Sequence, residues 1–508
     1  MALTRREFLA ASAAAALCPS LACPQSSPDT PFALGIASGY PHARGCTLWT
    51  RLIITAPASR VPADGIPVAW EIARDEFFHD IALRGESRAR PAWGYSVHVD
   101  VDGLESARWY WYRFTALGAR SPVGRTRTAP HGDAARLKLA FASCQQYEQG
   151  YYAAYRHMAR EPLDMVVHLG DYIYESSWGR QHVRSHGALE PVTLEEYRAR
   201  YALYKSDPDL QAAHAACPWI VTWDDHEVQN DYANDRSERL EEGTTFLARR
   251  AAAYQAYYEH MPLPAWARPQ GAGMQLYTRV PYGGLASFHV LDSRQYKSHQ
   301  VCPRAGYGGG NGVAAGACPE RLDAALTFLG TRQEQWLHEA LRQSTARWNI
   351  VAQQTLMAQC DRGPGAGQEF WTDGWDGYPK ARERLLRELA ERRVSNPVVI
   401  SGDVHMAVVA DLKVDFDNTR APVVATEFCG TSISSQGPSR KRVETIIAKN
   451  PHIKLANAAR RGYTVLEITR ERCTATFRAL QDVRDPESGI FDLARYALED
   501  GKPGAQRA

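Results

Sequence analysis

Four places in the chain set a short apolar run directly against residues that bind metals or carry protons. Leu137–Ala142 runs into Ser143, Cys144, Gln145 and Gln146, and Asp164–Leu169 runs into Gly170, Asp171, Tyr172, Ile173, Tyr174 and Glu175. Trp219–Trp223 runs into Asp224, Asp225, His226 and Glu227, and Pro397–Ser401 into Gly402, Asp403, Val404 and His405. Short apolar runs read as buried strands, and in layered α/β sheets ligands gather beyond the carboxyl ends of strands. Four such ends predict one crevice that holds Cys144, Asp171, Asp225, His226, Asp403 and His405.

Alone, each motif has a plainer reading. A Gly-Asp pair is ordinarily a turn, and a single cysteine at a strand end is ordinarily core. Asp403 and His405 are more specific, because side chains two apart point to the same side of extended chain. Asp224–Glu227 places four ionisable side chains after an apolar run, a cluster costly to bury without a cation or partners. Carboxylates suit hard ions such as calcium, whereas thiolate, phenolate and imidazole suit a transition ion. The mixed set points to two kinds of metal side by side, and a metal pair bridged by one carboxylate is a clamp for phosphoryl transfer.

The elements that must position these residues change character along the chain. Residues 31–130 read as an all-β module, with Cys46–Leu52, Val68–Ile72, Tyr95–Val99 and Arg108–Phe114 as strands punctuated by Gly and Pro, the pattern of a small sandwich. Thr128–Asp133 reads as a linker. From residue 131 to 508, short apolar strands alternate with helical stretches such as Tyr151–Arg160, Leu194–Tyr204, Arg249–Glu259 and Arg382–Arg393, the mark of an α/β or α+β layered domain.

The first 30 residues read as an address. Thr4-Arg5-Arg6-Glu7-Phe8-Leu9 is a twin-arginine core, followed by an alanine-rich stretch from Ala10 to Ala22 and small residues at Ser20-Leu21-Ala22 where a peptidase would cut. The plainer alternative is a chance Arg-Arg before an alanine-rich helix. The motif predicts passage through the twin-arginine translocation machinery to the periplasm or the medium, with lipid anchoring at Cys23 as a lesser option. In that oxidising setting Cys302 and Cys318, which bracket a Gly/Ala-rich segment, are expected to form a disulfide worth about 3 kcal/mol. Cys46, Cys217, Cys360, Cys429 and Cys473 read as buried thiols.

Composition narrows the classes further. The 508 residues carry 59 Lys+Arg against 57 Asp+Glu, a net charge of +2, and 44% are hydrophobic. That balance excludes a disordered or collagen-like chain and offers no electrostatic case for nucleic acid. No apolar run approaches the roughly 20 residues of a membrane-spanning helix, so no transmembrane segment is expected.

At the four strand ends the sequence resembles the PhoD-type alkaline phosphatases, a branch of the calcineurin-like metallophosphoesterases. The resemblance extends to Leu291–Tyr296, Trp348–Gln354, Asp373–Pro379 and Thr426–Ser435. It implies an N-terminal Ig-like β-sandwich, a four-layer α/β sandwich, and a site of one ferric iron with calcium. Carried over, Cys144, Asp171 and Tyr174 would hold iron with His405 as a further ligand. Asp171 would bridge to calcium, with Asp225 and Asp403 adding hard oxygens. His226 would contact the phosphate or the leaving group, and Arg294 would clamp phosphate unless it forms a structural salt bridge. The expected function is an exported hydrolase of phosphate esters. The alternatives are a phosphodiesterase or phospholipase D-type hydrolase with little monoesterase activity, and a non-catalytic exported metal-binding protein.

Overall fold

The computed structural model describes residues 30–54, 62 and 64–508. The twin-arginine motif, the alanine-rich run, Cys18 and Cys23 lie outside the described residues.

Two sheets face each other at the centre. The first has ten strands, with Arg136–Ala142, Met165–His168 and Trp219–Val221 as parallel neighbours in its middle. The second has seven, in which Ala286–Val290, Trp348–Thr355, Pro397–Gly402 and Ala425–Cys429 run parallel. Their sequences are apolar without a polar face because both faces are covered.

Side-chain parity then sorts residues between two cores. Trp348, Ile350 and Ala352 join Val398, Ile400 and Val409 in the core between the sheets. Their chain neighbours Val351, Val399 and Val408 point the other way, beneath the helices Thr331–Arg342, Pro379–Glu391 and Arg440–Lys449. The helices Ala153–Arg160, Leu194–Lys205, Pro208–Ala216 and Gly243–His260 cover the far side of the first sheet. The result is four layers, helix–sheet–sheet–helix.

Local signals set where these helices begin. Thr193 caps Leu194–Lys205 in a reciprocal box with Glu196, and Asp207 caps the next helix ahead of Pro208 at its first turn.

The N-terminal β module has two layers with a core of its own, including Leu48, Val68, Ile72, Tyr110, Tyr112 and Phe114. One layer is a separate five-stranded sheet that contains Ile66–Ala73, Ile81–Ala89 and Trp109–Ala116. The other, Ile36–His42 with Gly45–Arg51 and Ser96–Val101, is an extension of the ten-stranded sheet. Gly39 stands opposite Trp219 in a parallel pairing, so the sheet runs across the boundary expected near residue 130. The approach requires glycine: a Cβ at Gly39 would lie 2.4 Å from the Pro262 carbonyl oxygen.

Cys302 and Cys318 are joined by a disulfide, and Cys46, Cys144, Cys217, Cys360, Cys429 and Cys473 are buried free thiols. No helix among the described residues is long and apolar enough to cross a membrane.

Candidate metal centre

The strand ends converge. The Cys144 N–H donates to the Gly170 carbonyl and the Gln145 N–H to the Asp171 carbonyl, which ties the first two loops edge to edge. Glu227 secures the third: its carboxylate accepts from the backbone N–H of Asp171, Tyr172 and Asp224 at 3.1, 2.6 and 2.8 Å. Burial first, opposed by these three bonds, leaves its pKa raised to about 7. Its partners are all backbone, so Glu227 is a brace between loops.

Four of the predicted residues occupy left-handed backbone, with φ of 60° at Cys144, 56° at Asp171, 63° at Asp403 and 53° at His405. For non-glycine residues such conformations cost about 1–3 kcal/mol each and collect at functional sites. They turn the side chains off the sheet edge into a common space.

Asp171 stands at its junction. Ligating atoms of Asp171 lie within 4.8 Å of those of Cys144 and His405, of Asp225 and His226, and of Asp224 and Asp403. Tyr174 belongs to the first group: its hydroxyl donates to Asp171 Oδ2 at 2.9 Å, lies 3.0 Å from His405 Nε2 and accepts from Ser435 Oγ at 2.9 Å. A fourth group joins Asp225 to Asp231 and Asp373.

Charge does not balance within the cluster. Asp171, Asp224, Asp225, Asp231, Asp373, Glu175 and Glu227 are all buried, against the fixed cations Arg294 and Lys297. Burial and then Asp225, Glu227 and Asp403 push Asp171 well above the carboxylate range, opposed by His226. Its Oδ1 is buried without a hydrogen-bond partner. An orphaned carboxylate oxygen amid excess negative charge is what a cation would satisfy, and the donor set of thiol, phenol, carboxylate and imidazole fits one.

His226 faces the cluster from a fixed orientation. Its Nδ1 lies 2.7 Å from Glu175 Oε2, and its ring lies tilted by 33° against Tyr174 with centroids 4.1 Å apart. Burial disfavours its charge, yet Glu175, Asp225 and Asp171 outweigh that and hold it well above the ordinary histidine range. Glu175 in turn is pulled to about 2, because His226 and the Asn230 N–H overcome its burial. Asp403 and His405 are half-buried at the rim, where the Trp178 ring lies flat against His405 at 5.5 Å.

Arg294 is enclosed by carboxylates. It is only 1% exposed, and its guanidinium is taken up by Asp224 through Nε and by both Asp373 oxygens through Nη1, at 3.0 and 2.8 Å, with Asp225 at 3.5 Å. Asp292 Oδ1 accepts the Arg294 and Gln295 N–H groups, a turn that sends the arginine beneath the carboxylates and away from solvent. These contacts are those of the salt-bridge alternative for Arg294.

Sequence reasoning passed over Glu175, Asp231 and Asp373 as site residues. Glu175 directly follows Tyr174, and Asp373 heads the Asp373–Pro379 segment; Asp231 carried no local signal.

Comparison with known proteins gives the geometry a family. The family described as PhoD-like phosphatase matches residues 139–477, and its N-terminal domain matches residues 15–130. Alkaline phosphatase D of Bacillus subtilis (strain 168) is 44% identical over 493 residues, which span 94% of this chain and 82% of the relative. A solved structure of PhoD superposes with a TM-score of 0.89 at 43% identity, covering 95% of this chain and 93% of that one. A purple acid phosphatase from yellow lupin (Lupinus luteus) seeds shares the fold at a TM-score of 0.56 and 9% identity, over 91% of this chain and 74% of its own. The chain belongs to the PhoD-like phosphatase family, and its chemistry is the hydrolysis of phosphoric esters.

Proposed function

We propose that this hydrolase is an exported, metal-dependent enzyme of the alkaline phosphatase D kind, with ferric iron and calcium at the Asp171 junction. Cys144, Asp171, Tyr174 and His405 would hold the iron, and Asp171, Asp225 and Asp403 the calcium. The reading rests on Asp171, whose buried Oδ1 lacks a partner while three groups of ligating atoms meet around its carboxylate. When bound, the cations supply Lewis-acid stabilisation of charge developing on the phosphoryl oxygens.

The chain's own residues orient the ester and move the proton. Glu175 holds the charged His226 ring in place through its Nδ1–H, leaving the Nε2–H as the second donor. Water oxygen bonds to phosphorus, the bond from phosphorus to the leaving oxygen breaks, and His226 Nε2 gives that oxygen its proton. The proton released by water restores His226. Trp178 against His405 walls one side of the opening.

The test is hydrolysis of 4-nitrophenyl phosphate and bis(4-nitrophenyl) phosphate, with and without calcium chelation, alongside the visible spectrum. Chelation is expected to abolish activity first, since hard-oxygen sites exchange readily. A phenolate or thiolate on ferric iron absorbs visible light, so the protein is expected to be coloured and Tyr174→Phe to shift the band. A colourless, iron-free, fully active preparation would overturn the metal assignment.

Export belongs to the same proposal, with residues 1–30 as a leader ahead of the 31–130 and 131–508 units. Replacing Arg5 and Arg6 by lysine is expected to hold the precursor in the cytoplasm. Normal mature enzyme outside the cytoplasm after that change would refute it.

A further inference from the structure

A cavity of about 540 Å³ adjoins the candidate centre and contains none of the residues assigned to it. Its walls carry Arg180, Arg460, Arg461 and Arg484 against a single carboxylate, Asp482. In a chain of net charge +2 this is a local concentration of positive charge. Arg484 is occupied by Asp482 through both carboxylate oxygens, at 3.1 and 3.0 Å. Among the described residues, Arg180, Arg460 and Arg461 have no ion-pair partner within 4.0 Å. Arg180 and Arg460 are exposed, whereas Arg461 is buried and donates to the His405 carbonyl at 2.9 Å and to Ser432 Oγ at 2.7 Å.

The cavity and the centre share a wall. Gln436 lines the cavity, and its carbonyl oxygen lies 2.8 Å from His405 Nδ1. Its N–H donates to Gln149 Oε1, and Gln149 Nε2 donates to the Trp178 carbonyl, each at 2.6 Å. Trp178 stacks on His405, and Arg180 follows it by two residues, at most about 7 Å of backbone. Gln436 and Arg461, which line the cationic cavity, both contact His405 at the rim of the centre.

We propose that this cavity is a subsite for a second phosphate carried on an arm of the ester, so that the enzyme prefers multiply phosphorylated diesters. The inference rests on the hydrolase reading above and adds the substrate class. Guanidinium groups match phosphate oxygens bidentately, and the guanidinium groups of Arg180 and Arg460 lie in no ion pair within 4.0 Å. The second phosphate is a handle only. Water adds to the first phosphorus, the bond to the leaving alcohol breaks, and that alcohol takes the proton.

Two chromogenic diesters test the proposal: butyl 4-nitrophenyl phosphate, and the same compound with a phosphate at the far end of its butyl chain. The parent enzyme is expected to favour the phosphorylated diester by about tenfold in kcat/KM, through KM, with the preference shrinking as salt rises. Arg180→Gln with Arg460→Gln is expected to remove the preference and leave cleavage of the singly phosphorylated diester within about twofold, both positions being exposed. A diester ending in trimethylammonium should gain where the phosphorylated one loses. Equal cleavage of the first two by the parent, or a preference retained by the double variant, would overturn the subsite. Failure to cleave either diester while 4-nitrophenyl phosphate is still hydrolysed would overturn this inference alone, and failure on all three would remove the hydrolase reading with it.

Discussion

Asp171→Asn is expected to lower turnover by at least about a thousandfold while the protein remains folded and soluble. The substitution keeps shape and backbone: Asp171 has a φ of 56°, a left-handed conformation that asparagine adopts as readily as aspartate. The N–H of residue 171 keeps its bond to Glu227, and the loop keeps the one between its carbonyl and Gln145. What changes is charge. The amide has one acceptor oxygen where the carboxylate has two, and it cannot offset the two cations proposed for the junction of three ligand groups. Metal content and activity should therefore fall together, with an unchanged circular dichroism spectrum. Elemental analysis showing the parent's metal content in the variant would contradict a bridging Asp171.

How much of this could be read from sequence depended on the range of the signal. The four strand ends were legible because each couples a local apolar run to local ionisable residues, and the sheet geometry brings such ends together. A layered domain was legible too from strands alternating with helices, whereas the count of four layers came from the family resemblance. The continuity of the sheet from Ile36–His42 into Trp219–Val221 was not, because it rests on one pairing at Gly39 between residues 180 positions apart. For a similar reason sequence left two readings of Arg294 open, a phosphate clamp and a structural salt bridge. An arginine near a phosphatase-like motif suggests a ligand for phosphate, but only tertiary structure shows that Asp224 and Asp373 close around it. Glu175 was hidden differently: its motif neighbour Tyr174 drew the reading toward metal, while the partner of Glu175, His226, lies on another loop.

The buried setting of Arg294 yields a second large effect, on stability. Arg294→Met is expected to destabilise the fold by about 3–5 kcal/mol, because removing one partner of a buried ion pair leaves uncompensated charge behind. Methionine has similar length, so lost packing is a minor part. Asp224 loses its hydrogen bond from Nε, Asp373 keeps Lys297 but loses both Nη1 contacts, and Asp225 loses a cation at 3.5 Å. Arginine also raises no solvent-side contact that a substrate would miss, since its side chain is 1% exposed. The denaturant midpoint should fall, and adding Asp224→Asn to Arg294→Met should recover part of the loss, the coupling expected of two groups in direct contact. A phosphate clamp would behave in the opposite way: KM would rise for every phosphate ester, the midpoint would stay put, and neutralising Asp224 would recover nothing. That second pattern would return Arg294 to the substrate and break the charge argument made here for the carboxylates around it.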